Sequence, residues 1–185
     1  MNIKTRNLVY FLVLTLVTIL TSCDHYDKDD GKVYYVYWNR PNGKNKTLIK
    51  DADSKTFEKL ENSDYAIDKN NVYYKADKLT GADVKTFKHL ENSEFAIDKN
   101  NVYYQTDKLK DADVKTFKQF ENSDYALDKN NVYYKANKLK DANPKNFIVI
   151  LNYGKDSKFA YKDGHKIEGA DGQTAWGERS DPLQR

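Results

Sequence analysis

The stretch Asp68-Lys69-Asn70-Asn71-Val72-Tyr73-Tyr74 decides the fold, because it returns unchanged two more times, 30 residues apart each time. The surrounding text returns with it: residues 51–80, 81–110 and 111–140 agree pairwise at 21 to 23 of 30 positions. A fixed period between about 20 and 50 residues is typical of architectures in which small units stack on one another. The sequence therefore predicts a repeat array rather than one large core.

Two degenerate units flank the three close copies. The upstream unit carries Val33-Tyr34-Tyr35 and reaches Ile49 across a longer loop, and the downstream unit opens with Asp141-Ala142-Asn143. Units at the ends of such arrays are atypical because they must cap the stack. We therefore expect a repeat domain over 33–171 and a polar C-terminal tail or cap over 172–185. The expected units are 33–50, 51–80, 81–110, 111–140 and 141–171.

The second half of each unit is typical of β-structure. Tyr65-Ala66-Ile67 and Val72-Tyr73-Tyr74 are rich in β-branched and aromatic residues. Between them, Asp68 is suited to begin a turn by bonding its own backbone, and the two asparagines tolerate positive φ, so a hairpin is predicted. A second reversal precedes Lys78-Leu79. Each unit should contain a short antiparallel meander of three strands.

The first half of each unit suggests one short helical turn. Asp53 stands where a helix N-cap would, as do Asp83, Asp113 and Asn143 in the later units. Phe57 and Leu60 follow at the i, i+3 spacing of neighbours on a helix. The predicted fold class is therefore mainly β, a β-rich α+β array of units of about 30 residues.

The first 22 residues differ from the rest of the chain. Lys4 and Arg6 precede an apolar run over 8–20, and small residues close it, a pattern typical of a secretory signal peptide. A helix of those 13 residues spans only about 20 Å. That is short of the hydrocarbon core of a bilayer, about 30 Å thick, so a permanent membrane span is disfavoured.

Leu20-Thr21-Ser22-Cys23 resembles the bacterial lipobox, and Cys23 is the single cysteine of the chain. The resemblance implies cleavage before Cys23 and acylation of its sulfur, with 1–22 as a lipoprotein signal peptide and the acyl chains as a membrane anchor. Residues 23–32 are then the lipidated cysteine and a flexible acidic spacer. Acidic residues at this place resemble sorting signals, and we expect the outer membrane or the cell surface rather than the inner membrane.

The text D-K-N-N-V-Y-Y resembles the motif of the bacterial DKNYY family. The match is strong over 51–140 and extends to 33–171 with the degenerate units. Members of that family are exported or lipidated repeat proteins of largely undefined activity. The resemblance implies a lipoprotein of the bacterial cell envelope and supplies no reaction. Where many members carry Asn-Gly after the Tyr pair, this chain has Lys75-Ala76, Gln105-Thr106 and Lys135-Ala136.

Composition and motifs argue against most function classes. The net charge of +3 is too weak for a nucleic-acid binder, and removal of 1–22 leaves 29 cations against 28 acids. The chain has no HExxH, no glycine-rich phosphate loop and no usable cysteine nucleophile. An EF-hand comparison from Asp68 fails where Val72 replaces the third oxygen ligand. We expect a protein that is not an enzyme and has no cofactor or metal.

Two rows of equivalent residues are the candidate ligand surface. A tyrosine row is either a packing ladder between strands or an aromatic surface for a partner, and both readings stay open. A parallel lysine row is either a solvated face or part of the same surface. The candidates are Tyr73, Tyr103, Tyr133, Tyr161, Lys69, Lys99 and Lys129.

These rows lead to a functional expectation. The protein is expected to be a membrane-anchored binding or structural module of the bacterial envelope with a protein or glycan partner. An immunity-type inhibitor of a toxin and an envelope glycan-binding module are the alternatives.

Overall fold

The structure is a computed structural model that describes residues 24–170. The predicted signal peptide over 1–22, the predicted lipidation site Cys23 and the predicted tail over 172–185 lie outside the described residues. Within 24–170 all 19 regular elements are β-strands. This part of the chain contains no helix that is long and apolar enough to cross a membrane.

The strands form five small antiparallel sheets that follow one another along the chain. The first sheet has three strands, β1 (His25–Asp29), β2 (Lys32–Asn39) and β3 (Gly43–Leu48). The second has four, β4 (Glu58–Lys59), β5 (Tyr65–Ile67), β6 (Val72–Tyr74) and β7 (Asp77–Lys78). The third has β8 (Lys88–His89), β9 (Phe95–Ile97), β10 (Val102–Tyr104) and β11 (Asp107–Lys108). The fourth has β12 (Lys118–Gln119), β13 (Tyr125–Leu127), β14 (Val132–Tyr134) and β15 (Asn137–Lys138). The fifth has β16 (Ile148–Ile150), β17 (Tyr153–Lys155), β18 (Ala160–Lys162) and β19 (His165–Lys166).

The predicted hairpin turn at Asp68 is confirmed. Ile67 pairs with Val72, and the backbone N–H of Asp68 donates to the carbonyl of Asn71 at 2.9 Å. The same strand register recurs in the third and fourth sheets, so the repeated sequence forms the same hairpin three times.

The hydrophobic core lies between successive sheets rather than within any one of them. Tyr65, Val72 and Tyr74 of the second sheet pack against Ala96 and Tyr103 of the third. The other face of the second sheet packs in the cluster that it shares with the first sheet. Because both faces are covered, three consecutive residues of β6 are all buried, and no period-2 alternation of apolar and polar residues appears there.

The predicted helical turn is wrong. The Oδ1 atom of Asp53 accepts from the backbone N–H groups of Lys55 and Thr56, but the turn that it closes leads directly into strand β4. Phe57 and Leu60 belong to different core clusters. A spacing of three places side chains together on a helix and on opposite faces of a strand, so the i, i+3 pattern was compatible with both. Each repeat is consequently a meander of four strands rather than three.

The predicted flexible spacer is also wrong over residues 25–29. These residues form β1, which pairs with β2 from His25 opposite Val36 to Asp29 opposite Lys32. The ring of Tyr26 packs on the ring of Tyr35 with centroids 5.5 Å apart. The first sheet therefore begins before the predicted boundary of the repeat domain at residue 33.

The turns of each repeat lie at two opposite ends of its sheet. In the second sheet the β5–β6 turn lies at one end, which we call the lysine end because it carries Lys69. The β4–β5 and β6–β7 turns lie at the other end, which we call the asparagine end because it carries Asn62. The backbone N–H of Lys75 joins these two turns by donating to the carbonyl of Asp64 at 3.0 Å. Stacking therefore produces two separate rows of turns along the array.

Candidate functional site

A buried aspartate organises the lysine end of each repeat. Asp68 is 2% exposed, and its Oδ1 atom accepts from the backbone N–H groups of Asn70 and Asn71 at 2.7 Å each. Its Oδ2 atom accepts from the hydroxyl of Tyr73 at 2.7 Å and from the backbone N–H of Asp53 at 2.9 Å. Four donors thus satisfy one carboxylate and join the hairpin to the turn that precedes β4. We call this arrangement the Asp–Tyr network.

The network recurs in the next two repeats. The hydroxyls of Tyr103 and Tyr133 donate to Asp98 and Asp128, each at 2.8 Å. In the fifth sheet Asp156 accepts from three backbone N–H groups, while the hydroxyl of Tyr161 donates to the carbonyl of Lys140 at 3.4 Å. The last unit therefore keeps the buried carboxylate and loses its tyrosine partner.

Burial and hydrogen bonding shift the pKa of the buried aspartates in opposite directions. Burial raises the pKa of Asp68, and donation from the Asp53 backbone and the Tyr73 hydroxyl lowers it further than burial raises it, so the net pKa lies below the ordinary value. Burial first, and then the bond to Asp68, hold the pKa of Tyr73 well above its usual range. At neutral pH the pair is a carboxylate and a protonated phenol, which suits a structural role rather than proton transfer.

The tyrosine row lies inside the array. Tyr73, Tyr103, Tyr133 and Tyr161 are at most 2% exposed. Each ring packs on the phenylalanine that directly precedes the first strand of its unit, with centroid separations of 5.5 to 6.1 Å. This corrects the prediction that the row presents rings to a ligand, and it supports the alternative of a packing ladder. The physical reason is that the neighbouring unit covers the face from which these rings project.

The lysine row is exposed and paired. Lys69 reaches the carboxylate of Asp53 at 2.6 Å, and the same ion pair recurs in the next two repeats at 2.8 Å. The hydrogen bond from Lys69 lowers the pKa of Asp53, and the same contact raises the pKa of Lys69. Each cation thus has its own local counter-charge. The participation of Lys69, Lys99 and Lys129 in a ligand surface stays a prediction, and these ion pairs favour its alternative of a solvated face.

A groove of about 410 Å³ runs along the asparagine end. It crosses the second to the fifth sheets, and each contributes the turn that joins its first two strands. Its lining consists of amides, hydroxyls and carboxylates: Asn62, Asn92, Ser93, Glu94, Asn122, Ser123, Asp124 and Asn152. We call it the asparagine groove.

Four asparagines along this groove have unused side-chain amides. Asn62, Asn92, Asn122 and Asn152 are exposed, and none of their side chains makes a hydrogen bond to residues of the 24–170 range. The first three have positive φ, between 51° and 55°, which asparagine tolerates better than most residues. Sequence reasoning did not select them. The available signal was the Glu-Asn-Ser triplet that recurs at the repeat spacing.

The charge around the groove is mostly negative. The turns over 61–64, 91–94 and 121–124 carry six carboxylates, and the adjacent turns carry two lysines, Lys75 and Lys135. Both lysines pair with carboxylates of these turns, Lys75 with Asp64 at 3.4 Å and Lys135 with Asp124 at 3.7 Å. Among residues 24–170 no group of three His, Cys, Asp or Glu side chains is placed to hold a metal ion.

Comparisons with known proteins identify the family of the chain. Searches of curated proteins and of solved structures found no match to the chain. The model of the DKNYY family matches twice, over residues 2–107 and 95–176. The two overlapping matches cover most of the sequence and agree with a repeated architecture, so the chain belongs to the DKNYY family.

Proposed function

We propose that this protein is a membrane-anchored, non-enzymatic binding module of the bacterial envelope, whose asparagine groove holds an extended segment of a partner protein. The observation that carries the proposal is the row of four exposed asparagine amides in one groove that crosses four sheets. An amide side chain offers both a donor and an acceptor, which is what an unpaired peptide backbone requires.

The charge of the groove adds a preference among protein partners. Six carboxylates at its edge against two paired lysines favour a segment that carries Lys or Arg. Stacked repeat arrays commonly offer such extended surfaces for binding. The proposed partner segment is therefore extended and basic.

Membrane anchoring is the second part of the proposal. Leu20-Thr21-Ser22-Cys23 supports lipidation of Cys23, and the apolar run before it supports export. The bacterial lipoprotein character of the resemblance supports the same location, with the outer membrane or cell surface favoured. Palmitate labelling of the chain that disappears in Cys23→Ser is the expected result, and labelling that persists in that variant would overturn the anchor.

The glycan-binding alternative loses its main support when the tyrosine rings are buried. The lining of the asparagine groove contains no aromatic residue among those described, so it offers no ring on which a sugar could stack. The immunity-type alternative is a narrower form of the same proposal, because a toxin is also a protein partner.

Photo-crosslinking in the native envelope tests where the partner binds. A photo-reactive phenylalanine derivative is placed at Glu121, beside the groove, and in a matched chain at Lys129, at the opposite end of the same repeat. We expect protein adducts from position 121 and few from position 129. Equal adducts from both positions, or adducts from position 129 alone, would contradict the proposed groove.

A further inference from the structure

The outer face of the first sheet exposes an aromatic and apolar surface. Alternate residues of β2 point in opposite directions, and Tyr35 and Tyr37 pack toward the core that the first two sheets share. Trp38 belongs to the other set and is 65% exposed, and Leu48 of β3, opposite Tyr34 on the same face, is 44% exposed. The indole of Trp38 lies over Gly43, where a methyl group in place of the hydrogen would approach its ring at 3.6 Å. A large aromatic side chain is thus held in place and left open to solvent.

Cations without acidic partners surround this tryptophan. Residues 31–50 contain four Lys or Arg residues besides Lys32 and no acid. Arg40 and Lys44 lie at the tip of the β2–β3 hairpin, and neither makes an ion pair within the described part of the chain. Lys46, nearer the other end, pairs with Asp29 at 3.6 Å. The tip formed by residues 38–44 is therefore the uncompensated basic end of the sheet.

The chain enters the first sheet at this same end. His25 pairs with Val36, which is two residues before Trp38 and about 7 Å from it along the strand. The hydroxyl of Tyr35 holds the Asp24 carboxylate at 2.7 Å, so the start of the described chain is fixed against the sheet. Cys23 precedes Asp24 directly. A bilayer that holds an acyl group on Cys23 consequently lies within a few residues of the hairpin tip.

We propose that the tip of the β2–β3 hairpin docks on the anionic lipid surface to which the chain is tethered, with Trp38 at the interface and Arg40 and Lys44 among the headgroups. Tryptophan favours the interfacial region of bilayers, and Lys and Arg are attracted to anionic lipid. The docked tip fixes the orientation of the first sheet on the membrane, so that the repeats extend from a defined end. This inference rests on the proposed function through the lipidation of Cys23.

Depth-dependent fluorescence quenching tests the docking. The mature lipidated chain carries Trp176→Phe, so that Trp38 is the one remaining tryptophan, and is reconstituted into vesicles of phosphatidylglycerol and phosphatidylethanolamine. Brominated lipids labelled near the headgroup should quench Trp38 and shift its emission to the blue. Arg40→Gln with Lys44→Gln should reduce the docked-to-free ratio of the tip about tenfold or more. The matched control, Lys78→Gln with Lys108→Gln in two repeats, should leave quenching unchanged.

Two readouts separate this inference from the proposed anchor. The intact mass of the same preparation reports whether Cys23 carries lipid. Lipidated protein whose Trp38 is not quenched would overturn the docking and leave the anchor standing. A blue shift without quenching by brominated lipid would also overturn it, because it indicates that protein covers the indole. If the mass shows no lipid, the anchor fails, and quenching of Trp38 in the Cys23→Ser chain added to vesicles then decides the docking by itself.

Discussion

The hydroxyl of Tyr73 donates a hydrogen bond of 2.7 Å to the carboxylate of Asp68, and both side chains are at most 2% exposed. Asp68 begins the motif Asp68-Lys69-Asn70-Asn71-Val72-Tyr73-Tyr74 and Tyr73 is its sixth residue, so the bond closes the hairpin that the motif builds. Because the carboxylate also accepts from the backbone of Asp53, the same bond set ties the hairpin to the preceding turn. The repetition of this motif is therefore explained by the hydrogen bonds that hold each repeat together.

Loss of one buried carboxylate should be strongly destabilising. In Asp98→Asn an amide NH₂ replaces an acceptor oxygen and faces donors, so we expect the free energy of unfolding to fall by about 3 kcal/mol. Urea denaturation followed by circular dichroism measures it. The control is Asp107→Asn in the exposed strand β11, which should change stability by less than about 0.5 kcal/mol. Equal effects of the two substitutions would contradict the network.

Acid should destabilise the array over a defined range. The pKa of Asp68, Asp98 and Asp128 lies below the ordinary value because the hydrogen bonds outweigh burial. The unfolded chain therefore takes up protons first, and the stability that these groups confer, complete above about pH 5, is lost as pH falls through the folded pKa. The urea midpoint should stay constant from pH 7 to pH 5 and then fall. A midpoint unchanged at pH 3 would be inconsistent with this network.

Added salt separates the buried aspartates from the exposed ion pairs. The pKa of Asp53 is also lowered, by its contact with Lys69, but salt screens exposed pairs much more than buried groups. We expect the fall of the urea midpoint in acid to persist in high salt. The fall should be smaller in Asp128→Asn, because that variant lacks one of the three buried carboxylates.

The equivalent positions Tyr65 and Phe95 differ by one hydroxyl group, and this difference predicts opposite effects on stability for two substitutions. Tyr65 donates to the carbonyls of Glu94 and Gln105 at 2.8 and 3.1 Å, and Phe95 occupies the equivalent position one repeat later without a hydroxyl. Tyr65→Phe should lower the free energy of unfolding by about 1 kcal/mol, and Phe95→Tyr should raise it by a similar amount. Thermal or urea unfolding of both variants is the measurement. A loss of stability in Phe95→Tyr would show that the equivalent carbonyls are not accessible to the new hydroxyl.

The last repeat should not tolerate a methyl group at Gly154. This residue stands where the three close copies have alanine, and a Cβ there would overlap the ring of Phe147. Gly154→Ala should therefore cost about 1 to 3 kcal/mol through overpacking. The control is relief of the clash: Phe147→Leu removes the ring that the new methyl group would meet, so Gly154→Ala should cost less in that background. A cost of Gly154→Ala that is the same in both backgrounds would contradict the packing.

Local signals predicted the hairpin and missed what depends on neighbouring units. The β-propensity of Val72-Tyr73-Tyr74 and the turn chemistry of Asp68 are properties of a few adjacent residues, so they can be recognised in the sequence. Whether Tyr73 faces solvent depends on the sheet that packs against it. The sequence of one repeat carries no information about that packing. Strand β1 likewise has only Tyr26 as an apolar residue, and its strand conformation comes from pairing with β2.

The groove was missed for a related reason. The Asn-Ser pair of each repeat excludes a long helix, because these side chains compete for backbone hydrogen bonds, and this local property does not indicate a groove. In the structure the same residues form the β4–β5 turn, and stacking brings four such turns into one groove. The proposed binding surface thus arises from the arrangement of the units and has no signature within any single one.

The measurement that tests the account most directly is the recovery of the crosslinked partner with variants of the asparagine groove. Asn92→Gly with Asn122→Gly removes two amides and keeps positive φ available, so the turns should persist. Lys99→Gln with Lys129→Gln is the matched double substitution at the lysine end. We predict at least tenfold lower recovery of the partner with the asparagine variant and unchanged recovery with the lysine variant. Unchanged recovery with the asparagine variant would contradict the assignment of the groove as the binding site.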